Sequence, residues 1–127
     1  MENRADDKMS SPRFKPRRCA SAPHMFGVTE QIEWNEDARS DYERDRLAAA
    51  KLQHQFAVII RAKAKTKFKS VAKYAEAAGV PYDRIGKVLR GEAIMRLEDI
   101  AQAERLLGGI LPGLETVAAG RKDAAGP

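Results

Sequence analysis

The sequence predicts an all-α domain of five helices, and three observations carry that prediction. Residues 41–65 contain no Gly or Pro and are rich in strong helix formers. Apolar residues recur at three- and four-residue spacings through residues 71–107. Alternation of period two, the mark of a strand, is confined to residues 25–34. With 127 residues, 43% of them apolar, the chain suits one small domain flanked by tails, and an aromatic share of 6% calls for a core of Ala, Leu, Ile and Val.

Residues 1–24 combine mixed charge with prolines at 12, 16 and 23 and few apolar side chains. They bury too little to offset the entropy of ordering and are expected to form a disordered basic arm. Within them RFKPRR, residues 13–18, suits an arm reaching along DNA, or equally a solubilising extension. In residues 25–34, Phe26, Val28, Ile32 and Trp34 share one side of the alternation. A lone strand is unstable, so this segment is expected to pair with its copy in a dimer. An irregular apolar clip on the helical domain is the alternative.

The first helix opens at Ser40, which with Glu43 makes the S-x-x-E capping box. Its start is acidic and its end basic, as the helix dipole favours, and Leu47, Leu52, Phe56, Ile59 and Ile60 are expected to point inward. Lysines at 63, 65, 67 and 69 do not keep to one helical face, so the helix is expected to end near Lys65. Residues 58–74 hold six of the chain's 23 Lys and Arg and none of its 18 Asp and Glu, so the formal excess of +5 lies wholly in this window. Such a window suits phosphate, although a solvated lysine-rich helix end has the same composition.

Residues 71–90, VAKYAEAAGVPYDRIGKVLR, read as two short helices joined by a tight turn. Gly79 supplies the left-handed residue past the first, and Pro81 starts the second where no backbone donor is needed. Small Ala75 lets the pair cross steeply, the geometry of a helix-turn-helix. With Ile85, Val88 and Leu89 inward, the second helix turns Tyr82, Asp83, Arg84, Lys87 and Arg90 outward, and Gly86 permits close backbone approach. Arg and Lys donate to guanine and Asp accepts from cytosine, so a base code is chemically available. Asp83 has an equal local reading, pairing with Lys87 four residues on.

This stretch resembles the helix-turn-helix of the lambda repressor and Cro proteins, the Xre family. Ala75, Gly79 and Ile85 fall on the motif's fifth, ninth and fifteenth places. IGKVLRG, residues 85–91, is similar to the end of a repressor recognition helix, and RLEDIAQAERLLG, residues 96–108, to the next helix with its glycine cap. The resemblance implies a DNA-binding domain over residues 35–119. It places the second helix's start on the DNA backbone, with Lys65, Lys67, Lys69, Ser70 and Lys73 at phosphates. Bases would be read by Tyr82, Asp83, Arg84, Lys87 and Arg90. The chain departs from the pattern at Tyr82 and Asp83, where repressors usually carry Gln or Ser, and in lacking a proline in the loop after Gly91.

Leu97, Ile100, Ala101, Leu106 and Leu107 make the fourth helix amphipathic, and Gly108 and Gly109 stop it. A short fifth helix from Pro112 carries Leu114 and Val117, a second candidate dimer contact, and residues 120–127 read as a tail.

No enzyme is expected: Ser, His and Asp form no nucleophile arrangement, and no glycine loop grips phosphate. Neither metal nor cofactor is expected, since Cys19, His24 and His54 are too few for a structural zinc site. No membrane span is visible, and a cytoplasmic protein is expected. The expected function is a sequence-specific, double-stranded DNA-binding transcriptional regulator, a repressor of phage or mobile-element type acting as a homodimer. The alternative is a protein-interaction adapter, antitoxin-like or host-factor-binding, with a structural or autoregulatory helix-turn-helix.

Overall fold

The computed structural model describes residues 14–111. Among them the fold is all-α: α1 Asp41–Phe68, α2 Val71–Ala78, α3 Tyr82–Leu89 and α4 Leu97–Leu107, preceded by two 3-10 turns, Pro16–Cys19 and Pro23–Met25. The helix expected from Pro112, with Leu114 and Val117, lies outside the described residues. None of the described helices is long and apolar enough to cross a membrane.

Helix α1 starts where the capping residues place it. Ser40 Oγ accepts from the Glu43 amide at 3.1 Å, and Glu43 Oε1 accepts in turn from the Arg39 amide at 2.7 Å. Its end is later than expected. The helix continues past Lys65 to Phe68, whose ring packs against Tyr74 at 5.9 Å between centroids. Packing Phe68 onto the core outweighs the lysine pattern, which merely alternates along an exposed surface. Lys69 then turns the chain with φ of 76°.

The α1 core stripe consists of Leu47, Ala50, Gln53, His54, Phe56, Ala57, Ile60 and Ala64. Leu52, expected inward, is 46% exposed. Two polar residues occupy the phase it was expected to fill, because segments on both flanks of α1 need hydrogen-bond partners.

Between α2 and α3 the chain reverses through Gly79, at φ 74°, with the Val80 amide donating to the Ala75 carbonyl at 3.1 Å. This six-to-one bond closes a helix end only if the residue inside it is left-handed, which a glycine adopts without a Cβ clash. Pro81 is the N-cap, and Tyr82 rather than Pro81 is the first helical residue. Tyr74, Ala75, Ile85 and Leu89 join Phe56, Ile60 and Ala103 in the core. On α4 Ile100, Leu106 and Leu107 pack against the core as expected, and the face departs from the expected one at Leu97, Ala101 and Ala103. Ala103 is wholly buried, whereas Ala101 is exposed and Leu97, at the helix start, is 81% exposed. The carboxylate of Asp99 caps α4 by accepting from the Arg96 amide at 2.8 Å.

Residues 14–40 overturn two expectations. Residues 14–24, expected to be a disordered arm, form two 3-10 turns in which Pro16 is buried and the Arg17 amide donates to the Gly91 carbonyl at 3.0 Å. Prolines at the start of each turn preset φ, and the free carbonyl after α3 supplies an acceptor. Residues 25–34 form no strand: one antiparallel bridge, Ala20 to Trp34, is all the pairing described. The segment is the apolar clip. Phe26 is 1% exposed and meets Trp34 and His54 edge to face. Gly27, at φ 75°, turns the chain back, and a Cβ there would strike the Leu89 carbonyl. This turn breaks the alternation, leaving Val28 52% exposed.

Candidate nucleic-acid interface

Around the start of α2, Lys65, Lys67, Lys69 and Lys73 are all exposed, and Ser70 is half-buried. Ser70 Oγ accepts from the Lys73 amide at 3.0 Å, so the expected phosphate residue is already a helix cap. Lys69 is the only non-glycine residue at positive φ among those described. A side chain there costs about 1–2 kcal/mol relative to glycine. A cation is thus held in strained backbone between two helices, where glycine would fit more easily.

Helix α3 separates the five expected base readers. Tyr82 is 56% exposed at its first turn. Asp83 and Lys87 are exposed and pair with each other at 3.4 Å, the local reading of Asp83. Arg84 is a correction: its Nη2 donates to both carboxylate oxygens of Asp99, at 3.0 and 2.8 Å, with only 26% of its side chain exposed. The Asp99 carboxylate sits at the α4 N-terminus facing α3, and a charge-assisted bond there outcompetes solvent for the guanidinium. Arg84 therefore ties α3 to α4 and leaves the outward face. That face retains Tyr82, Asp83, Lys87 and Arg90.

Arg90 follows α3 as its C-cap and donates from Nε to Glu92 Oε2 at 2.8 Å. Its guanidinium lies over the bare Cα of Gly86, so the close approach permitted there is taken by Arg90 itself. Glu92 also accepts from Arg17 Nη1 at 3.3 Å. The hydrogen bond from Arg90 holds the Glu92 carboxyl below its usual range, and the charges of Arg90, Arg17 and Lys15 add to this.

Two supporting residues escaped the sequence reading. Gln53, 6% exposed, donates from Nε2 to the carbonyls of Val88 and Ala93, both at 2.9 Å, and accepts at Oε1 from the Met95 amide at 2.9 Å. One amide thereby ties the turn after α3 to α1 at three points, while the Glu92 and Ala93 amides donate to the Lys87 carbonyl within it. His54, 2% exposed, accepts at Nδ1 from the Gly27 amide at 2.9 Å and bonds at Nε2 to the Glu30 carbonyl at 3.1 Å. An amide only donates and a carbonyl only accepts, so the ring carries its proton on Nε2. The sequence signal for both was their phase, three and four residues after buried Ala50 and before buried Ala57.

The dimer candidates divide. Phe26 is in the core and unavailable to a partner, Trp34 packs edge-on against it, and Val28 and Ile32 keep exposed surface. Burial pushes the thiol of half-buried Cys19 up.

Comparison of the chain with family models, with curated proteins and with solved structures gave no match in any of the three.

Proposed function

We propose that the protein is a sequence-specific regulator of the phage or mobile-element repressor type, which acts in the cytoplasm as a homodimer and binds double-stranded DNA through its helix-turn-helix, α2 and α3. One observation carries this reading: an exposed row of Tyr82, Lys87 and Arg90 lies next in the chain to an uninterrupted cationic patch, Lys65 to Lys73, at the start of α2. Lysines at phosphates supply affinity without sequence preference, and the α3 row supplies readout. Arg84 acts from behind the row by fixing α3 against α4.

Selection of bound fragments from genomic DNA, followed by anisotropy on the winning duplex, tests it. Lys87→Ala and Arg90→Ala should each cost about 1–3 kcal/mol on the selected site and relax base preference. Lys69→Gly relieves the strained backbone, so it should raise stability by about 1 kcal/mol while weakening all duplexes evenly. Absence of duplex binding at low salt sinks the reading.

A second reading, the protein-interaction adapter, draws on an open groove of about 640 Å³ between residues 30–34 and α1, with Ile32, Trp34, Val58 and Ile59 among its walls. Failure to bind DNA would leave this reading standing.

A further inference from the structure

We infer that Lys15 and Arg17 form a second contact to the DNA phosphate backbone, with Arg17 as its central residue, built onto the end of α3 from outside the helix-turn-helix. The inference rests on the duplex-DNA reading above and adds to it a surface that the two motif helices do not contain.

Residues 14–34 form a strap that is fastened at this place by more than one bond. Buried Pro16 anchors its first turn, and the Arg17 amide donates to the Gly91 carbonyl at 3.0 Å. A Cβ on Gly91 would lie 2.7 Å from the Phe26 ring and 3.0 Å from Arg17 Cβ, so the strap is pressed directly onto the chain leaving α3. Strap and helix end therefore present their side chains as one surface. Lys15, Arg17 and Arg90 bring three cations around Glu92, and Arg18 instead lines a pocket with Asp37 and Glu43.

The arrangement of the charges indicates the ligand. Arg17 Nη1 and Arg90 Nε converge on a single atom, Glu92 Oε2, at 3.3 and 2.8 Å. Arg90 keeps its place in the α3 row, while the Arg17 guanidinium bonds through Nη1 and stays 35% exposed, so its remaining donors can meet a phosphate oxygen, for which arginine is the side chain best shaped. Glu92 supplies one negative charge to three positive ones, so it orients the guanidinium groups without neutralising the cluster. A helix in a major groove has a phosphate strand on either side, and the lysine patch at the start of α2 supplies only one cluster. The Arg17 cluster, at the end of α3, supplies the other.

The test is anisotropy of the full chain on a fluorescent mixed-sequence duplex over a salt series. Arg17→Gln should bind several-fold more weakly at low salt, with the slope of log K against log salt shallower by about 0.9, one phosphate's worth. Arg17→Lys should restore the slope, which a packing role for Arg17 would not produce. Glu92→Gln, which loosens the internal hold on both arginines, should bind more tightly than the parent. Lys15→Gln, a change that leaves the strap's backbone hydrogen bonds intact, should also lower the slope. If the parent binds duplex while the Arg17 and Lys15 variants keep its slope, the strap contact is overturned and the helix-turn-helix reading survives. If the parent binds no duplex, both fall.

Discussion

Gln53 and His54 are neighbours on α1, both buried, and they fasten segments from opposite directions along the chain. Gln53 holds the turn after α3 through Val88, Ala93 and Met95. His54 holds the N-terminal strap through Gly27 and Glu30. The two differ in what else supports the segment. The strap has further anchors: Phe26 is sunk in the core, Arg61 Nε donates to the Gly27 carbonyl at 2.9 Å, and the Arg17 amide bonds to Gly91. In the turn, one amide supplies the link to α1 and uses both its donor hydrogens and its acceptor oxygen. Loops without regular structure can thus be fixed either by several weak anchors or by one saturated polar group, and the second arrangement fails more abruptly.

Removing the saturated group should have the largest effect. Gln53→Leu keeps the side-chain volume but strands the Ala93 carbonyl and the Met95 amide, and it takes one of two partners from the Val88 carbonyl, which keeps the Gly91 amide. The cost should be about 3 kcal/mol of stability, because an unpaired buried polar group costs about 1–3 kcal/mol. Urea unfolding measures this. A loss below about 1 kcal/mol would mean that the turn holds itself and that the contrast with the strap is false.

His54→Leu should cost less, about 2 kcal/mol, since only two backbone groups lose their partner and Phe26 and Arg61 still hold the segment. The pattern of amide exchange is a sharper measure than the total. His54→Leu should speed exchange at Gly27 and leave Met95 protected, and Gln53→Leu should do the reverse. Equal acceleration of both amides by either substitution would show one cooperative unit in place of two.

These two residues also mark where the sequence stopped being legible. Helix starts at Ser40 and Ser70, the glycine turn at 79 and the core positions Tyr74, Ala75, Ile85 and Leu89 follow from local chemistry, which short-range patterns record. Of the expected α1 stripe, Leu47, Phe56, Ile59 and Ile60 do face the core. Leu52 does not, because Leu52 and the Gln53–His54 pair occupy adjoining phases of the helix and hydrophobicity alone assigns the inward one to Leu52. Only partners 24 to 42 residues away reverse that choice. Arg84 was assigned outward for a similar reason. Its partner Asp99 is fifteen residues along the chain, on a helix whose approach to α3 no local pattern encodes. Residues 25–34 of the strap read as a strand because Phe26, Val28, Ile32 and Trp34 alternate, whereas the left-handed turn at Gly27 lies in their midst.

A third clasp, partly exposed and charged, should show the smallest effect and a different signature. Glu104 Oε1 accepts from the amides of Ile110 at 2.8 Å and Leu111 at 3.0 Å, holding the chain as it leaves α4. The Leu111 and Ile110 amides lower the Glu104 carboxyl below its ordinary value of 4.5, because they bond best to the charged form. The sign follows. A carboxyl whose pKa is depressed by folding contributes stability that is fully present above its unfolded value and is lost as pH falls through the folded one. The parent should therefore melt slightly higher than Glu104→Gln at neutral pH, and the gap should close as pH drops below the ordinary glutamate range. The amide of the variant can still accept from Ile110 and Leu111, so only the charge-dependent part of the clasp is removed. Thermal melts of the pair across that range read it directly. For Gln53→Leu and its parent, the difference has no such titration at position 53, because that clasp is neutral in both. A Glu104 gap that stays constant at low pH would mean that the carboxylate holds residues 110 and 111 by shape alone, and the distinction between saturated and charged clasps would then not extend to this end of the chain.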